Sequence, residues 1–357
     1  MNRSLRMLLR VTDRGLWCEP ADCYIDPWAP VERAVITHAH GDHLRWGCDA
    51  YLVAEPGLGV TRQRLGAIAD RARGVPYGAP NTVNGVTFSF HPAGHILGSA
   101  QVRVEHRGEV WVVSGDYKID PDPTCEPWEP VRCHTFVTEC TFGLPIYRWP
   151  APEVVTAEIN SWWRANADAG RASMLYGYAL GKAQRLLAGL DPEIGPILTH
   201  GAVETMTARY RDAGIALPPT TYATLDHRDP TWSRALVLAP PGVDGTPWAR
   251  RFGTAAAAFA SGWMQVRGAR RRRGVDRGFV VSDHVDWPQL LTAIAATGAE
   301  RVLPTHGFTG PVVRWLREQG YDAEALPTRF EGEQDDRAVD ETPDTTTLSA
   351  DASSSAP

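Results

Sequence analysis

The chain has 357 residues, of which 43% are hydrophobic and 22% are charged, and its formal net charge is −6. This much apolar material excludes a wholly disordered chain. No run approaches the ~20 apolar residues of a membrane-spanning helix, which excludes a helical membrane protein. The length suits one large domain or two ordinary ones, because single cores stop growing at roughly 250–300 residues.

The negative charge is concentrated at the C-terminus. Residues 331–357 hold eight acidic residues and one basic residue, a charge of −7, which leaves +1 on residues 1–330. This segment is poor in large apolar side chains, so we predict an acidic disordered tail, with a tethered partner motif as the alternative. An acidic protein usually binds nucleic acid poorly, because binding to phosphate needs cationic surface. Since residues 1–330 are not acidic overall, their charge does not exclude a nucleic-acid partner.

The cysteines and the N-terminus indicate the cellular compartment. The six cysteines form no C-x-x-C pair and no dense framework, which favours reduced thiols. The first fifteen residues contain four arginines but no apolar stretch of signal-peptide length. We therefore expect a cytoplasmic protein that has no membrane partner.

Two patterns of secondary structure follow one another along the chain. Short apolar runs separated by turns predict strands through residues 1–149, including a buried strand at Arg33–Thr37. Residues 150–276 instead alternate helices and strands, which is typical of a parallel sheet. The first pattern resumes in residues 277–330. The sequence thus predicts an α/β protein in which residues 150–276 form a unit inserted into one domain.

The segment VITHAHGDHL, directly after the strand Arg33–Thr37, contains His38, His40, Asp42 and His43. Residues i and i+2 of an extended loop project to the same side, so His38 and His40 can share one metal ion. Asp42 and His43 follow the turn and can face a second ion. Imidazole nitrogen and carboxylate oxygen are ordinary zinc ligands. Because chance clustering of surface histidines explains this spacing poorly, we predict a two-metal site.

This loop resembles the signature of the metallo-β-lactamase superfamily, and three other residues fit the same pattern. Asp26 in YIDPW stands where that superfamily has an acidic residue behind the metals, and His95 in PAGHILGSA and Asp116 in VSGDY occupy the next two ligand motifs. Considered alone, His95 would be predicted to be an ordinary buried histidine and Asp116 a turn aspartate. Because of their order and spacing after the loop, we predict instead that both are metal ligands. The fold that the resemblance implies is an αββα sandwich.

Three further motifs are similar to those of the β-CASP branch of this superfamily, whose members are nucleases. They are Glu139 in VTECTFG, His284 in VVSDHVDW and His306 in LPTHG. The segment LYGYALGKAQRLL resembles the start of the β-CASP inserted domain, and Phe259–Leu291 is similar to a stretch of bacterial ligase-associated DNA exonucleases. The resemblance covers about residues 5–330 and leaves out the tail.

The resemblance also implies a set of metal ligands. The first Zn²⁺ would be held by His38, His40 and His95, and the second by Asp42, His43 and His306, with Asp116 bridging the two and Mn²⁺ as an alternative metal. Two ions ~3.5–4 Å apart activate a water for attack on phosphorus.

The catalytic residues implied by the resemblance are Asp26, Asp42, Glu139 and His284. His284, oriented by Glu139, is the candidate general acid that protonates the leaving 3′ oxygen. Asp26 is expected to accept the distal N–H of a ligating imidazole.

Two further sequence features could bind phosphate, a run of arginines and a glycine-lysine pair. The run consists of Arg270, Arg271, Arg272 and Arg273. Charge runs are more often solvated faces, but this one closely precedes His284, so we predict that it contacts the substrate backbone. The GKAQ segment Gly181–Gln184 lacks the first glycine and the Ser/Thr of a phosphate loop, which excludes a nucleotide-hydrolase site.

The predicted function is that of a zinc-dependent DNA exonuclease in DNA repair, functionally associated with an ATP-dependent DNA ligase and a helicase. An RNA-processing β-CASP ribonuclease is the alternative, because His306 departs from the valine typical of β-CASP proteins of the eukaryotic DNA-repair type. An esterase or lactamase is disfavoured, because the inserted unit would cover the site in a way that suits a nucleic-acid strand. A non-catalytic scaffold is disfavoured because every expected ligand position is filled.

Overall fold

The computed structural model describes residues 7–223, 230–266, 268 and 274–329. The predicted acidic tail and the Arg270–Arg273 run lie outside the described residues. The strands are β1 Arg10–Thr12, β2 Gly15–Cys18, β3 Cys23–Ile25, β4 Arg33–Val35, β5 Ala50–Ala54, β6 Ala72–Val75, β7 Asn81–Val83, β8 Val86–Pro92, β9 Ala100–His106, β10 Glu109–Val113, β11 Thr135–Cys140, β12 Ser173–Tyr176, β13 Ile197–Thr199, β14 Thr221–Tyr222, β15 Leu236–Ala239, β16 Ala256–Ala260, β17 Arg277–Phe279, β18 Arg301–Gly307 and β19 Asp322–Ala323.

In the described residues, each α-helix lies between two strands in sequence. They are α1 Leu58–Leu65, α2 Pro152–Asp168, α3 Lys182–Gly189, α4 Gly201–Asp212, α5 Pro247–Arg250, α6 Trp287–Thr297 and α7 Thr309–Glu318. Helix α2 begins at Pro152, whose fixed φ suits the first helical turn, and Gly170 follows its end with a φ of +67°. Helix α6 begins after Asp286, whose side chain accepts a hydrogen bond from the backbone N–H of Gln289.

Three sheets contain these strands. The first has the order β1-β2-β3-β4-β5-β6, the second β19-β18-β11-β10-β9-β8-β7 and the third β14-β13-β15-β12-β16-β17. All strand pairs of the third sheet are parallel in the described residues, as the helix–strand alternation predicts. In the second sheet, β7 and β8 are joined by Asn84 and Gly85 with φ values of +50° and +79°, which suit the tight hairpin turn that an Asn-Gly pair favours.

The first and second sheets pack face to face. Their shared core includes Leu16, Ile25 and Val35 of the first sheet, against Phe88 and Val102 of the second. Helices α1 and α4 cover the other face of the first sheet, and α6 and α7 cover the other face of the second. The layers are therefore helix, sheet, sheet and helix, which is an α/β architecture as predicted.

Along the chain, the strands of the third sheet come between β11 and β18, which are neighbouring strands of the second sheet. The chain leaves β11 at Cys140 and returns as β18, which pairs with β11 in parallel. This is the connectivity that an inserted unit produces. The third sheet includes β17, so it extends to Phe279 and past residue 276, where the sequence pattern changes. Within the described ranges, no helix combines the length and the apolar character needed to cross a membrane.

Candidate metal centre

The candidate site lies where the carboxyl ends of several strands meet. Strands β10, β11 and β18 are mutually parallel, and β8 runs in the same direction because β9 is antiparallel to both β8 and β10. The segments that follow β8 and β10 carry His95 and Asp116, whereas Glu139 and His306 lie near the ends of β11 and β18. Sheet topology thus brings to one edge four residues that are far apart in sequence.

The position of His306 depends on a β-bulge. Glu139 pairs with Thr305 and Cys140 pairs with Gly307, so His306 is the extra residue of its strand. Its φ of +49° is unusual for a non-glycine residue. The imidazole stacks beside that of His43, with 5.4 Å between ring centroids and 26° between planes. The bulge therefore directs His306 to the metal loop.

The first cluster consists of three imidazoles and one carboxylate. The Nδ1 atom of His40 lies 3.1 Å from Nε2 of His38 and 3.1 Å from Nε2 of His95. Asp116 Oδ2 lies 3.5 Å from His38 Nε2 and 3.8 Å from His95 Nε2. A tetrahedral ion with Zn–N bonds of ~2.0–2.1 Å separates its ligand nitrogens by about 3.3 Å. These four side chains therefore have the spacing of a metal site.

The distal ring nitrogens of the three imidazoles have oxygen partners. The pairs are His38 Nδ1 with Thr37 Oγ1 at 3.1 Å, His40 Nε2 with the Leu180 carbonyl at 3.1 Å, and His95 Nδ1 with the Asp283 carbonyl at 2.8 Å. A carbonyl oxygen only accepts hydrogen bonds, so His40 and His95 donate from these nitrogens. Their other nitrogens then carry lone pairs, and these point into the cluster.

The second cluster is centred on His43. Its Nε2 atom lies 3.5 Å from Asp116 Oδ2 and 3.6 Å from Asp42 Oδ2. This nitrogen is buried and has no hydrogen-bond partner among the described residues, which is a costly arrangement unless another group binds it. Because Asp116 Oδ2 lies between the two clusters, it can bridge two ions.

Asp26 lies behind both clusters. Its carboxylate accepts hydrogen bonds from the backbone N–H and hydroxyl of Thr37 at 2.8 and 2.6 Å, and from His43 Nδ1 at 2.8 Å. Asp26 thus fixes the ring orientation of His43 directly and supports His38 through the Thr37 hydroxyl. A Cβ on Gly115 would lie 2.6 Å from the Cβ of Thr37, so a glycine lets the Asp116 loop approach this point.

The electrostatics differ between the clusters. Burial lowers the pKa of His38 well below its ordinary value and that of His95 to about 3, so both are neutral and able to bind a metal. Burial also acts to lower the pKa of His43, but the carboxylates of Asp116, Asp42 and Asp26 outweigh it and raise this pKa well above its ordinary value.

Asp116 itself is ionised. Burial alone would raise the pKa of its carboxyl, but the neighbouring histidines, His43 first among them, hold it well below its usual range. The same carboxylate field that favours a proton on His43 favours a divalent cation. The donor set of imidazole nitrogens and carboxylate oxygens suits Zn²⁺. The residues present therefore fit the two-ion site that the metal loop predicts.

A histidine–glutamate pair lies beside the first cluster. His284 Nδ1 is 2.9 Å from Glu139 Oε1, both side chains are buried, and the His284 ring centroid is 4.8 Å from that of His95. The other Glu139 oxygen accepts a hydrogen bond from the backbone N–H of Thr141 at 3.1 Å. The Trp149 indole donates to the His284 carbonyl at 2.8 Å. These contacts fix the imidazole beside the first cluster.

Sequence reasoning missed several groups that hold the site together. Thr37, the Leu180 carbonyl and Asp283 each contact a histidine of the site. Thr37 directly precedes His38 and could have been noticed. The other two come from segments 140 and 188 residues away from their partners, and only the tertiary structure identifies them.

Comparison with known proteins supports the β-CASP branch of the metallo-β-lactamase superfamily. No family model matches the chain. It is similar to a protein of Opitutus terrae named "Probable DNA ligase", with 33% identity over 318 residues, which is 87% of this chain and 30% of that protein. It is also similar to "Endoribonuclease YSH1" of Yarrowia lipolytica, with 30% identity over 169 residues, 44% of this chain and 20% of that protein.

A third relative is "Cleavage and polyadenylation specificity factor 73" of Drosophila melanogaster, with 27% identity over 165 residues, 44% of this chain and 24% of that protein. The chain spans less than a third of the length of these relatives. Among solved structures, a protein of unknown function from Enterococcus faecalis V583 has a TM-score of 0.53 and 12% identity, covering 84% of this chain and 80% of that one. That likeness concerns the fold alone.

Proposed function

We propose that this chain is a two-metal nuclease, and more narrowly a zinc-dependent DNA exonuclease that acts in repair beside a DNA ligase. The observation that carries the proposal is the His284–Glu139 pair beside two metal-type clusters that share Asp116. Hydrolysis of a phosphodiester needs an activated water and a proton for the leaving oxygen. In this proposal the two clusters bind the ions that activate the water, and the His284–Glu139 pair provides the proton.

The residues divide the work as follows. His38, His40 and His95 would hold one ion, Asp42, His43 and His306 the other, and Asp116 both. Two divalent ions, when bound, acidify a water and neutralise charge on the phosphate. The Nδ1 atom of His284 faces the Glu139 carboxylate and donates to it, so Nε2 is the nitrogen that would protonate the leaving 3′ oxygen. Asp26 would keep the His43 ring in its ligating tautomer.

The choice of DNA is supported by the relative named as a ligase. Its similarity reaches 87% of this chain but only 30% of that protein, so a segment similar to this chain is joined there to other sequence. We infer that the chain works alongside an ATP-dependent DNA ligase and a helicase. RNA is the second candidate substrate, because two relatives named for endoribonuclease activity or for cleavage and polyadenylation match 44% of the chain.

We further propose that residues 150–276 form a separate folding unit that covers the site, and that Arg270–Arg273 contact the phosphate backbone. The unit is supported by the third sheet, which is interposed between β11 and β18. The arginine contact rests on charge and on sequence proximity to His284.

The test is a time course on DNA and RNA of equal sequence, each labelled at the 5′ or 3′ end, with wild type and His284→Ala. We expect the wild type to release mononucleotides from DNA, and His284→Ala to lower kcat by roughly 10²–10⁴-fold, the usual contribution of a general acid, with unchanged zinc content. His91→Ala is the matched control, because His91 also pairs with a glutamate, Glu129, at 2.7 Å.

The outcomes separate the candidates. Faster degradation of RNA would favour the ribonuclease alternative, and internal fragments would exclude an exonuclease. If His284→Ala and Asp42→Ala both degrade labelled DNA like the wild type, the assignment of the site is wrong. A wild type that degrades neither polymer while holding zinc would exclude a nuclease.

A further inference from the structure

The start of helix α3 lies against three histidine-bearing segments of the candidate site. The Leu180 carbonyl accepts a hydrogen bond from His40 Nε2 at 3.1 Å. The guanidinium of Arg185 lies 3.3 Å from the His95 carbonyl, close enough to donate a hydrogen bond. Gly181 has a φ of +85°, and a Cβ there would lie 2.2 Å from Ile96 Cγ2. Residues 180–185 are therefore fitted closely to the metal-binding loops.

Lys182 forms a buried ion pair at this contact. Its Nζ atom lies 3.2 Å from Asp283 Oδ1, and the side chains of Lys182 and Asp283 are 0% and 1% exposed. The ammonium group also lies 4.6 Å from the centroid of the Tyr178 ring. Removing two charges from water is costly, so such a pair is weak evidence for stability alone. A role in fixing one arrangement of the neighbouring groups accounts for it better.

Asp283 connects this ion pair to the chemistry of the site. Its backbone carbonyl accepts the hydrogen bond from His95 Nδ1 at 2.8 Å, which sets the tautomer of that imidazole. The next residue is His284, whose Nδ1 faces Glu139 at 2.9 Å. The position of the 283–284 peptide thus affects both a predicted metal ligand and the predicted general acid.

We propose that Lys182 is a positioning residue that acts through Asp283: their buried ion pair fixes the 283–284 segment, and with it the metal-binding tautomer of His95 and the place of His284. This inference rests on the proposed function and extends it to a residue outside the metal and acid motifs. It also gives the GKAQ segment a role in place of phosphate binding, because its lysine meets a carboxylate of its own chain.

The test compares Lys182→Met, Asp283→Asn and the double variant with the wild type. We measure Zn²⁺ affinity by competition with a chromophoric chelator and record the visible absorption of the Co²⁺-loaded proteins, neither of which needs nucleic acid. We expect Lys182→Met to weaken the affinity of one metal site by roughly 10–100-fold, the range typical of groups behind metal ligands, and to change the Co²⁺ spectrum.

The double variant distinguishes a shared contact from general damage. If both residues act through one ion pair, the double variant loses no more affinity than Lys182→Met alone, whereas additive losses would overturn the proposal. Arg211→Met is the matched control, since it removes the partner of Glu204 at 3.4 Å in helix α4 and should leave affinity and spectrum unchanged. Equal losses in this control would also overturn the proposal.

Kinetics provide a second measurement on the same variants. We expect kcat to fall in Lys182→Met while KM changes little, because Lys182 is buried away from the solvent that a substrate displaces. Unchanged metal affinity in a folded Lys182→Met protein would refute the inference and leave the nuclease proposal intact. An inactive wild type whose metal affinity still depends on Lys182 would refute the nuclease proposal and retain the positioning role.

Discussion

The two metal-type clusters both contain imidazole ligands, but the groups around these imidazoles differ. In the first, His38, His40 and His95 converge with nitrogens 3.1 Å apart, and neutral oxygens accept from their distal nitrogens. In the second, carboxylates surround His43. The first cluster is thus prepared for a metal by burial, which keeps imidazoles neutral, and the second by negative charge, which attracts any cation.

Because of this difference, a proton competes with a metal ion to different extents at the two sites. A proton competes poorly at the first cluster, because burial already lowers the pKa values of His38 and His95. A proton competes strongly at the second, because the pKa of His43 is raised. Since Asp42 is also 27% exposed, we expect the second ion to be the more readily exchanged of the two.

The largest expected effect comes from removing one ligand of each cluster. His40→Ala should abolish binding of the tightly held ion, and His43→Ala should abolish binding of the exchangeable one, so each variant retains about one equivalent of zinc instead of two. Both should lose the proposed nuclease activity. Metal analysis after gel filtration measures the content, and His91→Ala again serves as the control. Loss of both ions from both variants would show that the clusters do not bind independently.

A smaller effect is expected for Asp26→Asn. The amide keeps the shape of the carboxylate, and asparagine tolerates the φ of +45° at this position, so the fold should persist. The charge beside His43 is lost, which should weaken the second site by roughly 10–100-fold and the first by less. Stepwise chelator titration resolves the two sites. An equal loss at both would mean that Asp26 acts mainly through Thr37, which contacts His38 as well.

The smallest effect concerns pH. His43 has a raised pKa in the metal-free protein, so it holds a proton that the second ion must displace. The affinity of the second site should therefore rise with pH, by about tenfold per pH unit below that pKa, and level off above it. The first site should change little over the same range above pH 5. Calorimetry in buffers of different ionisation enthalpy counts the released protons, and proton release from the first site instead would reverse the comparison.

Local spacing made part of the site predictable. An extended loop after a buried strand places His38 and His40 on one side, and this rule needs no knowledge of the rest of the chain. The proline at the start of α2 and the glycine after its end are local signals of the same kind, because each suits the backbone at one end of a helix. The strand β16 was not predicted, because its sequence AAAFA has weak strand propensity and only its burial in the third sheet makes it a strand.

The residue types that are available and their order along the chain are visible in the sequence, namely the ligand-rich loop, the later histidines and the acidic C-terminal segment. How these residues meet depends on the tertiary structure. His40 contacts His95 across 55 residues of sequence, and His284 contacts Glu139 across 145. Such contacts depend on strand order, on the bulge at His306 and on the packing of α3 against the loops. These are properties of the whole fold, because each fixes a side chain through elements distant in sequence.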